Sequence, residues 1–85
     1  MKIDMFDKVW EVKRLSYREK RELWQMSLKA FPEGEVNQDN YFELMEKVEK
    51  LSGLAEKDLE QLSMGDVDLL LQEVYQQYMG IEKKG

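Results

Sequence analysis

The sequence predicts a mainly α-helical protein, a small bundle of three to four short helices with a short β-hairpin preferred at the N-terminus. Apolar residues recur at helical spacing along most of the chain, and capping residues and glycines punctuate the repeats. The 85 residues suffice for a single domain, 1–85, with one small core. Because such a core leaves stability marginal, we expect that self-association would add to it.

The first fifteen residues fit two structures. Apolar and polar residues alternate at the start, and a β-branched and aromatic run follows at 9–12, as in a hairpin. Met5, Val9 and Val12 also lie at helical spacing after Asp4, which is a suitable helix cap. We prefer a hairpin within residues 1–15, but strand and helix both stay open for 3–14. The apolar residues concerned are Ile3, Met5, Val9, Trp10 and Val12.

The helical region is expected to span residues 17–80, and its first helix has a clear beginning and end. Ser16 and Glu19 form a capping box, in which each side chain satisfies a backbone amide of the other residue. Leu15 is placed as a hydrophobic staple, and Pro32 with Gly34 ends the pattern. One apolar stripe is expected to face the core: Tyr17, Leu23, Trp24, Leu28 and Phe31.

The second helix is expected to begin at Asp39 or Asn40, because either side chain can cap a helix. Gly53 closes it in the left-handed conformation, and Leu54 follows as a C-terminal hydrophobic contact. Residues 55–62 are long enough for about two further helical turns. The inward-facing residues of these segments are Tyr41, Leu44, Met45, Val48, Leu51, Leu59 and Leu62.

The last helix is predicted between Ser63 and Gly80. Ser63 and Asp66 repeat the capping spacing, and Gly80 stops the helix. Residues 81–85 are predicted to form a short mobile tail. The inward stripe consists of Val67, Leu70, Leu71, Val74 and Tyr78.

The composition argues against catalysis and metal binding. Without cysteine the chain has no disulfide, thiolate zinc site or thiol nucleophile, and without histidine it lacks the usual general base. The acidic residues at 56–68 do not have the spacing of a calcium loop. We therefore predict a protein that is not an enzyme, with no catalytic, cofactor or metal site. No apolar run reaches the length of a membrane span or signal peptide, so we expect an intracellular protein without a membrane partner.

Charge is unevenly distributed along the chain. Residues 1–31 carry 8 basic and 5 acidic side chains, a net charge of +3, whereas residues 32–85 carry 5 basic and 13 acidic ones, a net charge of −8. Such a division favours head-to-tail association of copies or closure of the chain on itself. Glutamates interrupt the basic cluster at 13–21, so we predict a solvated face there and no nucleic-acid binding.

Four large side chains lie off the predicted apolar stripes and are candidates for an exposed or oligomeric surface. By contrast, Trp24, Met45 and Tyr78 are expected in the core because of their helical register. The predicted protein-binding positions are Met26, Phe42, Leu69 and Tyr75.

Two segments resemble the small phage tail assembly chaperones and together cover most of the chain. Residues 41–75, YFELMEKVEKLSGLAEKDLEQLSMGDVDLLLQEVY, resemble the C-terminal half of the family: a helix, an LSGL-like break, a short acidic helix and a final helix. Residues 8–23, KVWEVKRLSYREKREL, are similar to the strand of the family that leads into a Leu-Ser/Thr helix start.

The resemblance implies a non-enzymatic protein of the host cell cytoplasm that coats the tape measure protein and helps recruit tail tube subunits. Apolar helical segments of the tape measure protein would be covered reversibly until tube subunits displace the chaperone, and a homo-oligomer fits the division of charge. Two alternatives stay open. One is an acidic decoy that occupies a host nucleic-acid-binding protein, and the other is a small structural adaptor of a phage particle.

Overall fold

A computed structural model describes residues 1–80 and has a mainly helical fold that begins with a two-stranded hairpin. The predicted fold class is therefore confirmed, and the N-terminus is a hairpin and not a helix. The tail predicted at 81–85 lies outside the described residues. The elements are β1 (Lys2–Met5), β2 (Lys8–Glu11), α1 (Tyr17–Ala30), a 3-10 turn (Pro32–Gly34), α2 (Gln38–Ser52), α3 (Glu56–Leu59) and α4 (Met64–Met79).

The hairpin covers the core with one of its faces. Ile3 lies opposite Trp10 in the antiparallel register, and both side chains are buried. Asp4 and Val9 face each other on the exposed side. Trp10 donates its Nε1–H to the Met5 carbonyl oxygen at 3.0 Å, which satisfies the buried indole. The register is fixed because a slip of one residue would expose both buried side chains.

Helix α1 packs on the core through a narrow face of mostly small residues. Trp24 and Leu28, which were predicted to face the core, are 57% and 58% exposed, and Tyr17 is 75% exposed. Phe31, just after the helix, is also exposed, at 37%. The predicted stripe is therefore wrong for these four residues, and the predicted core position of Trp24 is wrong with it. The buried residues of α1 are Leu23, Ser27 and Ala30.

The choice of face on α1 depends on a buried hydroxyl that is fully satisfied. Ser27 donates its hydroxyl to the Leu23 carbonyl oxygen at 2.7 Å and accepts a bond of 2.7 Å from the Tyr75 hydroxyl. A satisfied serine carries little burial penalty, and its small volume allows neighbouring helices to approach closely. Since successive residues turn by about 100°, Trp24 projects well away from the face that contains Leu23.

Helices α2 and α4 supply most of the remaining core. The stripe predicted for α4 is buried throughout, and Met45 and Tyr78 are buried as predicted. The side chains with no exposed surface in these two helices are Leu44, Val48, Leu70 and Val74.

Both predicted serine caps, Ser16 and Ser63, are present. The Glu19 amide donates to Ser16 Oγ at 3.2 Å, and the Ser16 amide donates to Glu19 Oε1 at 2.9 Å. This bond from the Ser16 backbone holds the pKa of the Glu19 carboxyl below its usual value. At α4, Ser63 Oγ accepts from the Asp66 amide at 3.2 Å.

The predicted start of α2 is wrong by a few residues. Asn37 is the cap, and its side chain accepts a bond of 3.1 Å from the Asn40 amide. Asn40 lies inside the helix, where its side-chain amide donates to the Lys29 carbonyl oxygen at 3.1 Å. The Asn40 side chain is therefore used in a bond to the end of α1 and does not cap α2.

Helix α3 is shorter than predicted. It spans a single turn, Glu56–Leu59, and Ala55 at its N-terminus provides no side-chain cap. The Leu62 amide then donates to the Leu59 carbonyl oxygen at 3.0 Å, which tightens the chain into a turn. The short turn still buries Leu59 and half-buries Leu62, so the predicted inward direction of both side chains is confirmed.

Gly53 closes α2 as predicted and also makes room for another side chain. Its φ is +74°, and a Cβ at this position would lie 3.0 to 3.2 Å from three side-chain carbons of Lys13. The Lys13 amide donates to the Ser52 carbonyl oxygen at 2.9 Å, so the segment after the hairpin is tied to the end of α2. Both the backbone conformation and the close approach therefore require glycine.

We expect Gly53→Ala to lower the free energy of unfolding by about 1–2 kcal/mol, as measured by urea titration. The loss combines the strain of a positive φ with displacement of the Lys13 stem. Gly34→Ala is the matched control, because Gly34 has a φ of +83° and no described atom outside its neighbours within 4 Å of the added Cβ. Equal losses in the two variants would show that the Lys13 contact contributes nothing.

Candidate protein-binding groove

An open groove with a mostly apolar lining runs between α2 and the first half of α4, and its volume is ≈ 630 Å³. Buried Met45, Val67 and Leu71 form its floor, and exposed Phe42 and Met64 form its walls. We call this surface the α2/α4 groove. It is lined by Val36, Gln38, Tyr41, Phe42, Met45, Glu46, Glu49, Met64, Gly65, Val67, Asp68 and Leu71.

The walls of the α2/α4 groove have the chemistry of a protein contact. Phe42 is 65% exposed and Met64 is 81% exposed, and Val36 lies exposed at one end. Aromatic side chains dominate the binding energy of many interfaces, and methionine adapts its shape to different partners. An apolar floor between two such walls suits the apolar face of an amphipathic helix.

The rim of the groove is acidic. Glu46 and Glu49 on α2 and Asp68 on α4 carry its charge. The Glu46 carboxylate lies 3.6 Å from Lys50 Nζ, but both side chains are exposed, so this pair neither adds much energy nor covers the rim. A partner with basic residues beside its apolar face would therefore be attracted to the groove.

A hydrogen-bonded network of three side chains holds α2 and α4 together beside the groove. The Tyr41 hydroxyl donates to Asp68 Oδ1 at 2.9 Å and accepts from Gln72 Nε2 at 2.8 Å. Gln72 Nε2 also donates to Asp68 Oδ2 at 2.6 Å. Because these bonds join the two helices that form the walls, they fix the groove before a partner arrives, which reduces the entropy lost on binding.

Rings from α1 and α4 support this arrangement. Phe31, at the end of α1, lies 6.1 Å from the Tyr41 ring and 6.4 Å from the Tyr75 ring, measured between centroids. The Tyr41 ring in turn lies 5.9 Å from that of Phe42, edge to face. Aromatic pairs at these distances add to the stability given by burial alone. The Phe42 wall is thereby connected to three helices.

Two tyrosines are expected to make the free energy of unfolding depend on pH under alkaline conditions. Burial, and then the hydrogen bond to Asp68, raise the pKa of Tyr41 from 10.0 to about 12. Burial raises the pKa of Tyr78 to about 12, and its hydroxyl donates to the Lys13 carbonyl oxygen at 2.6 Å. In the unfolded chain both groups lose their protons near pH 10, whereas the folded protein retains them.

The stability contributed by these phenols is therefore complete below pH 10 and is lost as the pH rises towards 12. We expect the free energy of unfolding, measured by urea titration, to fall across this interval. Tyr41→Phe and Tyr78→Phe should each flatten the fall, because neither phenylalanine has a proton to lose. An unchanged slope in the double variant would contradict this origin.

The four predicted protein-binding residues do not form one surface. Phe42 is a wall of the α2/α4 groove. Leu69 is exposed on α4, next to Asp68 but outside the lining. Met26 and Tyr75 are half-buried against the core, and Tyr75 uses its hydroxyl to bind Ser27.

Sequence reasoning missed Met64 and Val36. Neither residue is among the predicted protein-binding positions. Met64 precedes Val67 by three residues and Leu71 by seven, so it falls at the spacing of the inward α4 stripe, and the off-stripe position that identifies Phe42 does not single it out. Its exposure at the first residue of α4 becomes visible only in the fold.

A second exposed apolar surface lies on α1. Tyr17, Trp24 and Leu28 border a shallow depression of ≈ 500 Å³, together with Arg21 and Gln25. The Arg21 guanidinium donates to the Tyr17 hydroxyl at 3.2 Å. We call this surface the α1 stripe.

No protein-family model matches the chain, and comparisons with curated proteins and with solved structures gave no match. Within residues 1–80 there is no group of three or more carboxylates placed to hold a metal ion. No helix in the described part of the chain is long and apolar enough to cross a membrane. The functional argument therefore depends on the chemistry of the exposed surfaces.

Proposed function

We propose that this chain is a phage tail assembly chaperone, a non-enzymatic protein that covers an apolar segment of the tape measure protein and helps recruit tail tube subunits. The α2/α4 groove is the observation that carries the proposal, because it leaves Phe42 and Met64 exposed above an apolar floor. The resemblance of residues 8–23 and 41–75 to this family supports the same function. Ten of the twelve lining residues fall within 41–75.

The groove suits one kind of segment best. An amphipathic helix with large apolar residues at i, i+3 or i+4, and i+7 would place two or three of them between the walls. Lysines or arginines beside that face would lie against Glu46, Glu49 and Asp68 at the rim. We refer to such a segment of the tape measure protein as the client.

An open groove also suits reversible binding. Each apolar side chain that the client buries contributes about 1.5–3 kcal/mol, and the loss of rotational and translational freedom offsets much of the total. The affinity of one copy for one segment is then modest, so a competing tube subunit can displace it. Many copies along a long client would together keep its apolar segments covered.

Co-expression with the tape measure protein of the same phage tests this function. We expect the tape measure protein to become soluble and to co-purify with the tagged chain, and to remain bound when the salt concentration is raised, because apolar contacts provide most of the affinity. If the tape measure protein neither dissolves nor co-purifies, the proposal is wrong.

Two further observations separate the alternatives. A decoy would instead co-purify with a host nucleic-acid-binding protein, in a complex that salt dissociates steeply. A structural adaptor would be found in purified virions by mass spectrometry, whereas an assembly chaperone would be absent from them.

A further inference from the structure

The α1 stripe and the α2/α4 groove are two exposed apolar surfaces of one chain, and their linings share no residue. We propose that the groove of one copy binds the α1 stripe of a second copy, so that copies of the chain associate head to tail. The inference is independent of the proposed function, except that the client and the neighbouring stripe would compete for the same groove.

The charges of the two surfaces are complementary. Arg18 and Arg21 flank the stripe and outnumber Glu22 beside them, whose carboxylate lies 3.2 Å from Lys47 Nζ of its own chain. The rim of the groove carries three carboxylates, those of Glu46, Glu49 and Asp68. A stripe against a groove brings opposite charges together, whereas two stripes would oppose arginines and two grooves would oppose carboxylates.

The shapes are also compatible. Tyr17, Trp24 and Leu28 follow one another on one side of α1 at intervals of seven and four residues, a helix face about 16 Å long at 1.5 Å per residue. Trp24 and Leu28 are one turn apart and project outwards. The groove offers ≈ 630 Å³ between Phe42 and Met64, enough for these two side chains together.

This contact is heterologous, because each copy contributes a different surface. An unpaired stripe therefore remains at one end of an open assembly and an unpaired groove at the other. Growth continues unless the rotation between successive copies closes a ring. In the absence of a client, each groove within the assembly would in this way be covered by the α1 stripe of a neighbouring copy. A client would enter by displacing the stripe of a neighbouring copy.

Sedimentation velocity of the full chain, without any tape measure protein, tests the contact. We expect the mass of the wild-type protein to increase with concentration beyond that of a dimer. A stripe variant, Arg21→Glu with Trp24→Ala, and a groove variant, Phe42→Ala with Met64→Ala, should each remain monomeric. All four side chains are at the surface, so both variants should retain the wild-type circular dichroism spectrum, with melting temperatures lowered only slightly by the loss of the Phe42–Tyr41 and Arg21–Tyr17 contacts.

Mixing the two variants gives the decisive result. The stripe variant keeps an intact groove and the groove variant keeps an intact stripe, so an equimolar mixture should form a 1:1 dimer and nothing larger. Leu69→Ala, on an exposed residue outside both surfaces, should assemble like the wild type. A monomeric wild type, a groove variant that still associates, or a mixture that stays monomeric would overturn the inference.

The outcomes for self-association and for the proposed function can be distinguished. If the chain assembles as described but does not capture the tape measure protein, the contact stands and the proposed function fails. If the chain captures the tape measure protein but is monomeric on its own at every concentration, the function stands and the contact is absent.

Discussion

The double variant Phe42→Ala, Met64→Ala should bind the tape measure protein at least about 100-fold more weakly than the wild type. Each of these walls would bury a large apolar side chain against the client, and losing both removes about 3–4 kcal/mol of binding free energy. The variant should remain folded, since both side chains lie mostly outside the core. Competition pull-down with a titrated amount of untagged wild-type protein measures the change in affinity.

The chain also offers a double-alanine control outside the groove. Val9 on β2 and Leu69 on α4 are also exposed and apolar, and neither lines the groove. Val9→Ala with Leu69→Ala should leave the affinity unchanged. The comparison also decides the predicted binding role of Leu69, because a loss in this control equal to that of the groove variant would place the client on another face.

Leu70→Ala should lower the free energy of unfolding by about 3–5 kcal/mol, the largest effect on stability that we expect from a single substitution. Leu70 has no exposed surface and lies in α4, which packs against both α2 and β1. A close-packed core cannot collapse fully into the cavity that remains. Urea unfolding followed by circular dichroism measures the loss.

The neighbouring residue provides the matched control for this substitution. Leu69 precedes Leu70 in the same helix but is exposed, so Leu69→Ala should change the free energy of unfolding by no more than about 0.5 kcal/mol. Similar losses from the two variants would contradict the assigned orientation of α4. Since a domain of this size has a stability of only about 4–13 kcal/mol, Leu70→Ala should remove a large fraction of it.

The ends of the helices were predictable from the sequence because caps are local. Ser16, Ser63, Gly53 and Gly80 act within a few residues of their own positions, and the structure places all four at helix ends. The predicted cap of α2 is wrong because the Asn40 side chain makes a contact distant in sequence. Asn40 binds the Lys29 carbonyl oxygen, and no local pattern indicates a bond across 11 residues.

The buried face of α1 could not be predicted because it depends on a contact distant in sequence. Ser27 becomes a core residue through the Tyr75 hydroxyl, which is 48 residues away. A pattern that ranks residues by size selects Trp24 and Leu28 instead. The error is informative, since the large residues that the core does not use form the α1 stripe.

The groove was only partly predictable. Phe42 stands out as a large residue off its helical stripe, but the network that fixes the groove joins Tyr41 to Asp68 across 27 residues. The division of charge between residues 1–31 and 32–85 was visible in the sequence. Only the fold shows that the basic and acidic residues border two separate apolar surfaces.

The most direct test of the α2/α4 groove as the client site is photo-crosslinking in the co-expressed complex with the tape measure protein. Phe42 is replaced by benzoylphenylalanine, which retains the aromatic ring, and in a second preparation Val9 is replaced in the same way. We predict an adduct with the tape measure protein from position 42 and none from position 9. Equal yields from both positions, or an adduct from position 9 alone, would contradict the assignment of the groove.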